Sequence, residues 1–503
     1  MVVRWSPRVR LRHVAELVQH YLDRIRAEQI ELRDGALASY IPELANVDPE
    51  GFGLSLSSSD GYVYESGDTA VEFTIQSISK PFTYALALSL IGQDAVDARI
   101  GVEPSGEAFN EISVDDVTKT PKNPMINAGA IAAVSLIPGA SADERFDRIH
   151  EFYSACAGRR LEIDLAVYAS EKATGNRNRA IAYMLTSFGV LEGDPDEVLD
   201  VYFRQCSVKV TSTDLARMAA TLARGGLNPL TGRRVIDADV VRRTLSVMVT
   251  CGMYESTGDW VSAVGMPAKS GVGGGIVAVL PGQLGIGVYS PRLDARGNSV
   301  RGVQVCRNLS SQLGLHFLTV GRESSSTLRA VFDVHPGVRV YEVQGDLLFA
   351  GAEQVLRSAE QVLRSAEHQR GGYDVAVLDV TRVDDINDAA RGMLTGMRAA
   401  WPPRARRPIS STPMAAWCRP TGVTTTTPSC SAPSTTQSRR RGSGPPARPA
   451  PPPWSARRDR AGLPIRPVSN GPSRFRTRWR SCPMTPPGAR APAWRNRTAA
   501  RPH

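Results

Sequence analysis

Of the six lysines in this 503-residue chain, only Lys80 follows a serine by three positions, in Ser77-Ile78-Ser79-Lys80. On a helix that spacing turns both side chains to one face, and the lysine amine comes within hydrogen-bonding reach of the serine hydroxyl. A serine hydroxyl is a weak nucleophile until a base removes its proton. A lysine kept neutral by burial or by nearby positive charge can be that base. Pro81 marks a first helical turn, where its missing N–H has no intrahelical partner to lose. Ser77 to Lys80 are therefore expected at a helix N-terminus, whose positive end favours a neutral amine and a developing oxyanion. A surface serine and lysine meet this spacing by chance in about half of chains of such composition.

Lys269-Ser270-Gly271-Val272 is the second element, about 190 residues downstream. In serine acyl-transferring enzymes of the S-x-x-K pattern, a K-[ST]-G strand lines the other wall of the cleft. Its glycine lets substrate approach the backbone, and the N–H that follows can face that of the serine as an oxyanion hole. None of the seven histidines lies in either stretch, which argues against a Ser-His-Asp triad. The S-D-N or Y-x-N element of β-lactamases and related peptidases is missing, which speaks against those activities.

The elements that must carry these residues read as strands, many helices, strands, then a helix, an α+β order rather than repeating βαβ. Apolar residues at Val14, Leu17, Val18, Tyr21, Leu22 and Ile25 predict a helix within 13–33. Strand-like pieces follow at Gly53, Tyr62 and Val71, and Phe82 to Ile91 predicts a helix stopped at Gly92. Residues 145–255 read mostly as helix. Two β-rich runs after Gly271 and Gly285 suit antiparallel neighbours, and Val303 to Leu315 returns to helix. A second region opens near Ala330, with strands expected at Val338–Val343, Asp346–Ala350 and Tyr373–Val380 and a helix at Asp388–Ala400. Within it Ala352-Glu-Gln-Val-Leu-Arg-Ser is repeated verbatim at Ala359–Ser365. Seven residues are nearly two turns, so the duplication lengthens a helix with little rotation of its apolar stripe.

The net charge of +10 divides unevenly. Residues 401–503 hold 20 Arg, no Lys and one acid, Asp459; taking these from 60 basic and 50 acidic side chains leaves 40 and 49, a net of −9, for residues 1–400. Twenty-one of the 35 Pro and five of the seven Trp also lie beyond residue 400, a composition that does not sustain a packed core. The tail reads as disordered, with the texture of a GC-rich frame translated out of register. A nucleic-acid arm at Arg474-Phe-Arg-Thr-Arg-Trp-Arg is the less favoured alternative. Of the seven cysteines, the four within residues 1–400, Cys156, Cys206, Cys251 and Cys306, are widely spaced and suggest reduced thiols rather than disulfides or a zinc site. With no signal-peptide pattern and no membrane-length apolar run, a cytoplasmic protein is expected.

Between the two chemical elements stand Asn123-Pro-Met-Ile-Asn127-Ala-Gly-Ala-Ile, Ser170-Glu171-Lys-Ala-Thr-Gly-Asn-Arg-Asn178, Val201-Tyr202-Phe and Cys251-Gly-Met-Tyr254. With Tyr40-Ile-Pro-Glu-Leu-Ala before them and Gly297-Asn-Ser-Val-Arg-Gly after, the chain resembles the serine-dependent bacterial glutaminases over about residues 15 to 315. The resemblance implies a serine β-lactamase-like core, an antiparallel sheet with flanking helices and a helical subdomain. It implies hydrolysis of L-glutamine to L-glutamate and ammonia, no metal or organic cofactor, and a homodimer or homotetramer. Ser77 would be the nucleophile, Lys80 its base and Tyr254 a proton relay, with Tyr40 lining the site. Asn127, Glu171, Asn178 and Tyr202 would hold the amino-acid head group, and the N–H groups of Ser77 and Val272 the oxyanion. Each residue also has a plainer reading: Tyr40 and Tyr202 as core aromatics, Asn127 as a helix cap, Glu171 and Asn178 as a solvated helix end broken at Gly175.

Residues 336–400 resemble, more loosely, a STAS domain, with Asp388 where that family carries a phosphorylatable serine and with the family's next strand and helix replaced by the Arg/Pro-rich tail. The expected organisation is a catalytic domain at 1–325, a partial STAS-like domain at 330–400 that could recruit a protein partner, and the tail at 401–503. Two alternatives to the glutaminase are another acyl hydrolase, such as an esterase, and a regulatory binding protein with a vestigial enzyme core.

Overall fold

The computed structural model describes residues 2–4, 13–39, 41–105, 114–318, 327–335, 338–368 and 375–399. Its strands are β1 (Val2–Arg4), β2 (Gly53–Ser58), β3 (Val63–Gly67), β4 (Phe73–Thr74), β5 (Glu162–Ile163), β6 (Val208–Val210), β7 (Ala268–Gly271), β8 (Gly275–Leu280), β9 (Leu284–Tyr289), β10 (Leu328–His335), β11 (Val338–Leu347) and β12 (Val375–Ile386). The helices of the first part are α1 (His13–Ala27), α2 (Ser79–Ile91), α3 (Gln93–Asp97), α4 (Asn127–Ser135), α5 (Ala142–Ala157), α6 (Leu165–Thr174) and α7 (Asn176–Ser187). Those that follow are α8 (Pro195–Cys206), α9 (Ser212–Ala223), α10 (Ala238–Cys251), α11 (Thr257–Ala263), α12 (Val300–Leu313), α13 (Phe349–His368) and α14 (Asp388–Ala399).

An antiparallel sheet of order β3-β2-β9-β8-β7 forms the centre, and β8 and β9 are the antiparallel neighbours expected from their spacing. Every residue of β2, β8 and β9 is buried, because α9 crosses one face and α1 and α12 pack on the other side. Such strands cannot alternate apolar and polar. Where α9 crosses, the sheet offers Ser and Gly instead: Ser55 Oγ bonds Ser212 Oγ at 2.9 Å, and a Cβ on Gly287 would lie 2.0 Å from the Ser212 carbonyl oxygen. Small side chains thus set how closely α9 approaches.

On the helical side, α2 and α4 are mostly apolar and buried on nearly every side, the pattern of helices enclosed by others, with Lys80 and Asn127 among the few polar residues at their N-terminal ends. They pack against each other, ringed by α5, α7, α8 and α10. Local chemistry explains where the ring helices start: Asp164 caps α6, Asp194 caps α8 ahead of Pro195, and Thr211 with Asp214 forms a capping box on α9.

A second sheet has the order β1-β12-β11-β10, with β11 and β12 parallel and both outer pairs antiparallel. Asp346–Ala350 is not the separate strand expected. The residues Asp346 and Leu347 end β11, and α13 begins at Phe349 because Phe349, Ala352, Val355 and Leu356 form a buried helical stripe. Helix α1 likewise stops at Ala27, two residues past the last apolar position of its stripe, rather than reaching Arg33. Strand β1 was not foreseen; it pairs with β12. The apolar faces of α13 and α14 join Val18, Leu22, Phe52 and Tyr64 in one cluster, so the region after residue 327 shares a core with the central sheet. A buried polar contact crosses the same boundary: Glu353 accepts from the Tyr64 hydroxyl, and Arg357 pairs with Glu353 and with Asp60, each at 2.7 Å. No helix among the described residues is long and apolar enough to cross a membrane.

Candidate active site

Ser77 sits in a single 3-10 turn, Gln76–Ile78, that runs directly into α2, and Lys80 is on the first turn of that helix. Gln76 has φ of +50°, and Tyr254, at the start of a 3-10 turn after α10, has φ of +54°. These are two of the three non-glycine residues with left-handed φ among the described residues. Side chains adopt that region only where their surroundings hold them there. At Gln76 the holding groups are visible. Its side chain donates to Thr74 Oγ1 at 3.2 Å, and its carbonyl accepts from Ser79 Oγ at 2.6 Å. A buried network of Tyr153, Thr83 and Gln205 then fixes the Ser79 turn, Tyr153 Oη donating to the Ser79 carbonyl at 3.0 Å.

Other elements converge on this turn. Lys80 Nζ donates to Asn127 Oδ1 at 2.6 Å, and Asn127 Nδ2 donates to Asn178 Oδ1 at 3.0 Å. Asn127 is the first residue of α4, where Ile126 holds the cap position, and its amide bonds Lys80 and Asn178 instead. Glu171 near the end of α6 and Asn178 on the first turn of α7 lie either side of the break at Gly175. Glu171 is buried and hydrogen-bonded by the Gln76 side chain. Tyr202 on α8 is buried too and hydrogen-bonds Cys206, a thiol that interacts electrostatically with Lys80 and Glu171. Strand β7 closes the other side: a Cβ on Gly271 would stand 2.9 Å from the Ile75 carbonyl oxygen, so glycine lets the strand pass beside the Ser77 turn. Val272, next in sequence, is buried against Ala38, Ile41, Leu44, Val167 and Leu293. The Tyr254 hydroxyl hydrogen-bonds the Ser77 side chain and donates to the Ser270 carbonyl at 3.2 Å. Tyr40 lies outside the described residues, as do residues 401–503.

Burial sets the protonation states. Lys80 is fully buried, and desolvation pulls its amine down to about 8 against the opposing attraction of Cys206 and Glu171. Desolvation pushes Glu171 up to about 7, opposed by its hydrogen bond from Gln76 and by the charge of Lys80. Tyr254 is raised to about 12, again by burial, and stays a phenol that can donate. A phenol thus bonds Ser77 directly, while on the same turn and its helix stand a carboxyl group held by Gln76 and an amine able to give up its proton near neutrality.

Three contributors were not singled out as site residues in the sequence. Gln76 holds Glu171 and carries the strained turn. Lys269, fully buried, donates to the Ser270 carbonyl at 2.8 Å and lies 3.7 Å from the centroid of the Tyr254 ring. Buried Arg301 on α12 donates to the carbonyls of Ile30, Leu32 and Glu50 and pairs with the Glu50 carboxylate at 2.7 Å, pinning both ends of the loop that leads past the site. Lys269 and Arg301 stand in the Lys-Ser-Gly and Gly297–Gly302 blocks; their signal was present, but their partners are remote in sequence.

The sequence model of the glutaminase family matches residues 35–318, more than half of the chain. The glutaminase of Microcystis aeruginosa is 51% identical over 304 residues, covering 60% of this chain and 90% of that protein. Glutaminase 2 of Bradyrhizobium diazoefficiens is 48% identical over 380 residues, 72% of this chain, which spans 60% of that relative's length. The crystal structure of Mglu in its native form is similar with a TM-score of 0.60 and 44% identity, over 76% of this chain and 96% of that one.

Proposed function

The chain belongs to the glutaminase family and hydrolyses L-glutamine to L-glutamate, and from that premise we propose that Ser77 carries the reaction as a glutamyl-enzyme ester with Lys80 as its base. The observation that carries this reading is the buried Lys80 amine, held by Asn127 one helical turn from Ser77 and lowered to about 8. Neutral Lys80 takes the Ser77 proton as the hydroxyl attacks the side-chain amide carbon. The oxyanion forms against the N–H groups of Ser77 and Val272. Tyr254, bonded to Ser77, passes a proton to the departing ammonia, and water then cleaves the ester to glutamate. Ionised Glu171 receives the substrate ammonium, and Asn127, Asn178, Tyr202 and Tyr40 complete the head-group site. Asn127 would serve twice, orienting Lys80 as well as substrate.

Ammonia release from L-glutamine by Ser77→Ala and Lys80→Ala tests the mechanism. Each should fall by roughly a thousandfold or more with folding intact; parental rates in either variant would rule it out. The β-lactamase-like description is supported by the antiparallel sheet with helices on both sides and by the K-S-G strand passing beside the S-x-x-K turn. The STAS-like assignment of residues 330–400 is supported by a mixed sheet with α13 and α14 against it; Asp388 there is exposed at the start of α14, after the Asn387 cap. The four cysteines among the described residues are unpaired and buried, which suits a reducing compartment and the cytoplasmic reading. Homo-oligomerisation rests on the family resemblance.

A further inference from the structure

Lys269 is not required by the mechanism above, and its surroundings are unusual for a lysine. It is fully buried, and no carboxylate among the described residues forms an ion pair with it. A buried, unpaired ammonium is costly, so burial, reinforced by the charge of Lys80, holds the amine well below its ordinary value. As a neutral amine it keeps one clear hydrogen bond, donated to the Ser270 carbonyl at 2.8 Å. The Tyr254 hydroxyl donates to that same oxygen at 3.2 Å, and the Lys269 amine lies 3.7 Å from the centroid of the Tyr254 ring. Tyr254 meanwhile has a left-handed backbone, φ +54°, which its own residue type does not favour. Its surroundings must hold that backbone, and the Lys269 amine is the neighbour that packs on its ring.

We propose that Lys269 is the positioning residue of Tyr254: packed against the phenol ring and sharing its carbonyl acceptor, it holds the hydroxyl on Ser77 in the geometry that proton relay needs. This rests on the reading of Ser77, Lys80 and Tyr254 given above. It assigns Lys269 no proton transfer and no contact with substrate.

Lys269→Met keeps most of the volume and removes the donor. Loss of a held geometry should lower kcat for L-glutamine by roughly 10- to 100-fold, with KM within about threefold because the head-group residues are untouched. Removing a buried unpaired amine should leave the Tm unchanged or raised, whereas a purely structural lysine would lower it. In a Tyr254→Phe background, the further loss caused by Lys269→Met should shrink to less than about twofold. Lys269→Gln, which retains an N–H donor, should keep more activity than Lys269→Met, and it carries the same comparison if the methionine variant does not fold. The proposal is overturned by a kcat within about twofold of the parent in Lys269→Met, by a fall in Tm that accompanies the lost activity, or by an undiminished loss in the Tyr254→Phe background. Ser77→Ala separates the two ideas. An inactive Ser77→Ala beside a fully active Lys269→Met removes only the role of Lys269, while an active Ser77→Ala removes the mechanism on which it rests.

Discussion

Lys80 and Glu171 titrate side by side because the same enclosure acts on both with opposite sign: it lowers the amine to about 8 and raises the carboxyl to about 7. The proposed chemistry needs both groups deprotonated, Glu171 to bind an ammonium and Lys80 to accept a proton. kcat/KM for L-glutamine should therefore climb through pH 7 and level off above pH 8, with a limiting slope of about two on the acid side. Glu171→Gln should reduce that slope to about one and lower kcat/KM roughly 10- to 100-fold at pH 8. Stability should move the other way. A carboxyl whose folded pKa is raised binds more protons folded than unfolded, so it contributes a stability loss as pH rises from about 4.5 to 7. Glu171→Gln should thus melt above the parent at pH 8 and beside it at pH 4. The Ser-x-x-Lys pair was marked by its spacing only together with the Lys-Ser-Gly block downstream. The strain at Gln76 and Tyr254 and the arrangement of Lys269 were not legible, since backbone conformation and a shared carbonyl arise only when segments some 180 residues apart are brought together.

The helices and strands owe their positions to packing that sequence pattern reports unevenly. The apolar runs of α2 and α4 suit two enclosed helices, and their N-terminal ends bring Lys80 and Asn127 together. Ser55, Gly285 and Gly287 stand in runs read as strands, and they are buried under α9. Periodicity does not show that burial, because the helix approaches too closely for larger side chains. Gly287→Ala places a Cβ 2.0 Å from the Ser212 carbonyl oxygen and should cost about 3 kcal/mol, the upper end for overpacking. A lowered urea midpoint at unchanged m-value would show it. The boundary between β11 and α13 was misread because Asp346–Ala350 holds too few residues to tell alternation from helical spacing. The buried stripe becomes recognisable only when Val355 and Leu356 are included.

For the molecule as a whole, the charge of +10 describes the last hundred residues more than the enzyme. Every site residue lies in the portion of net charge −9, and a small zwitterionic substrate responds to the local placement of Glu171 rather than to that total. The chain shortened to end at Ala400 should retain the parental kcat and KM. Ending it at Leu315 should not, because α13 and α14 cover Val18, Leu22 and Tyr64, and Arg357 and Glu353 satisfy Asp60 and Tyr64. The shorter chain should melt lower and aggregate on warming; equal melting of the two truncated proteins would show that the shared core contributes nothing. The division at residue 400 could be read from composition, whereas the shared core could not, since it depends on which faces of α1 and α13 meet.

Peptide mapping of enzyme quenched in acid during turnover of L-glutamine reads out the covalent intermediate itself. A glutamyl ester should appear on the peptide that contains Ser77 and be absent in Ser77→Ala. A glutamyl group carried instead by Cys206, or by any other side chain, would contradict Ser77 as the nucleophile.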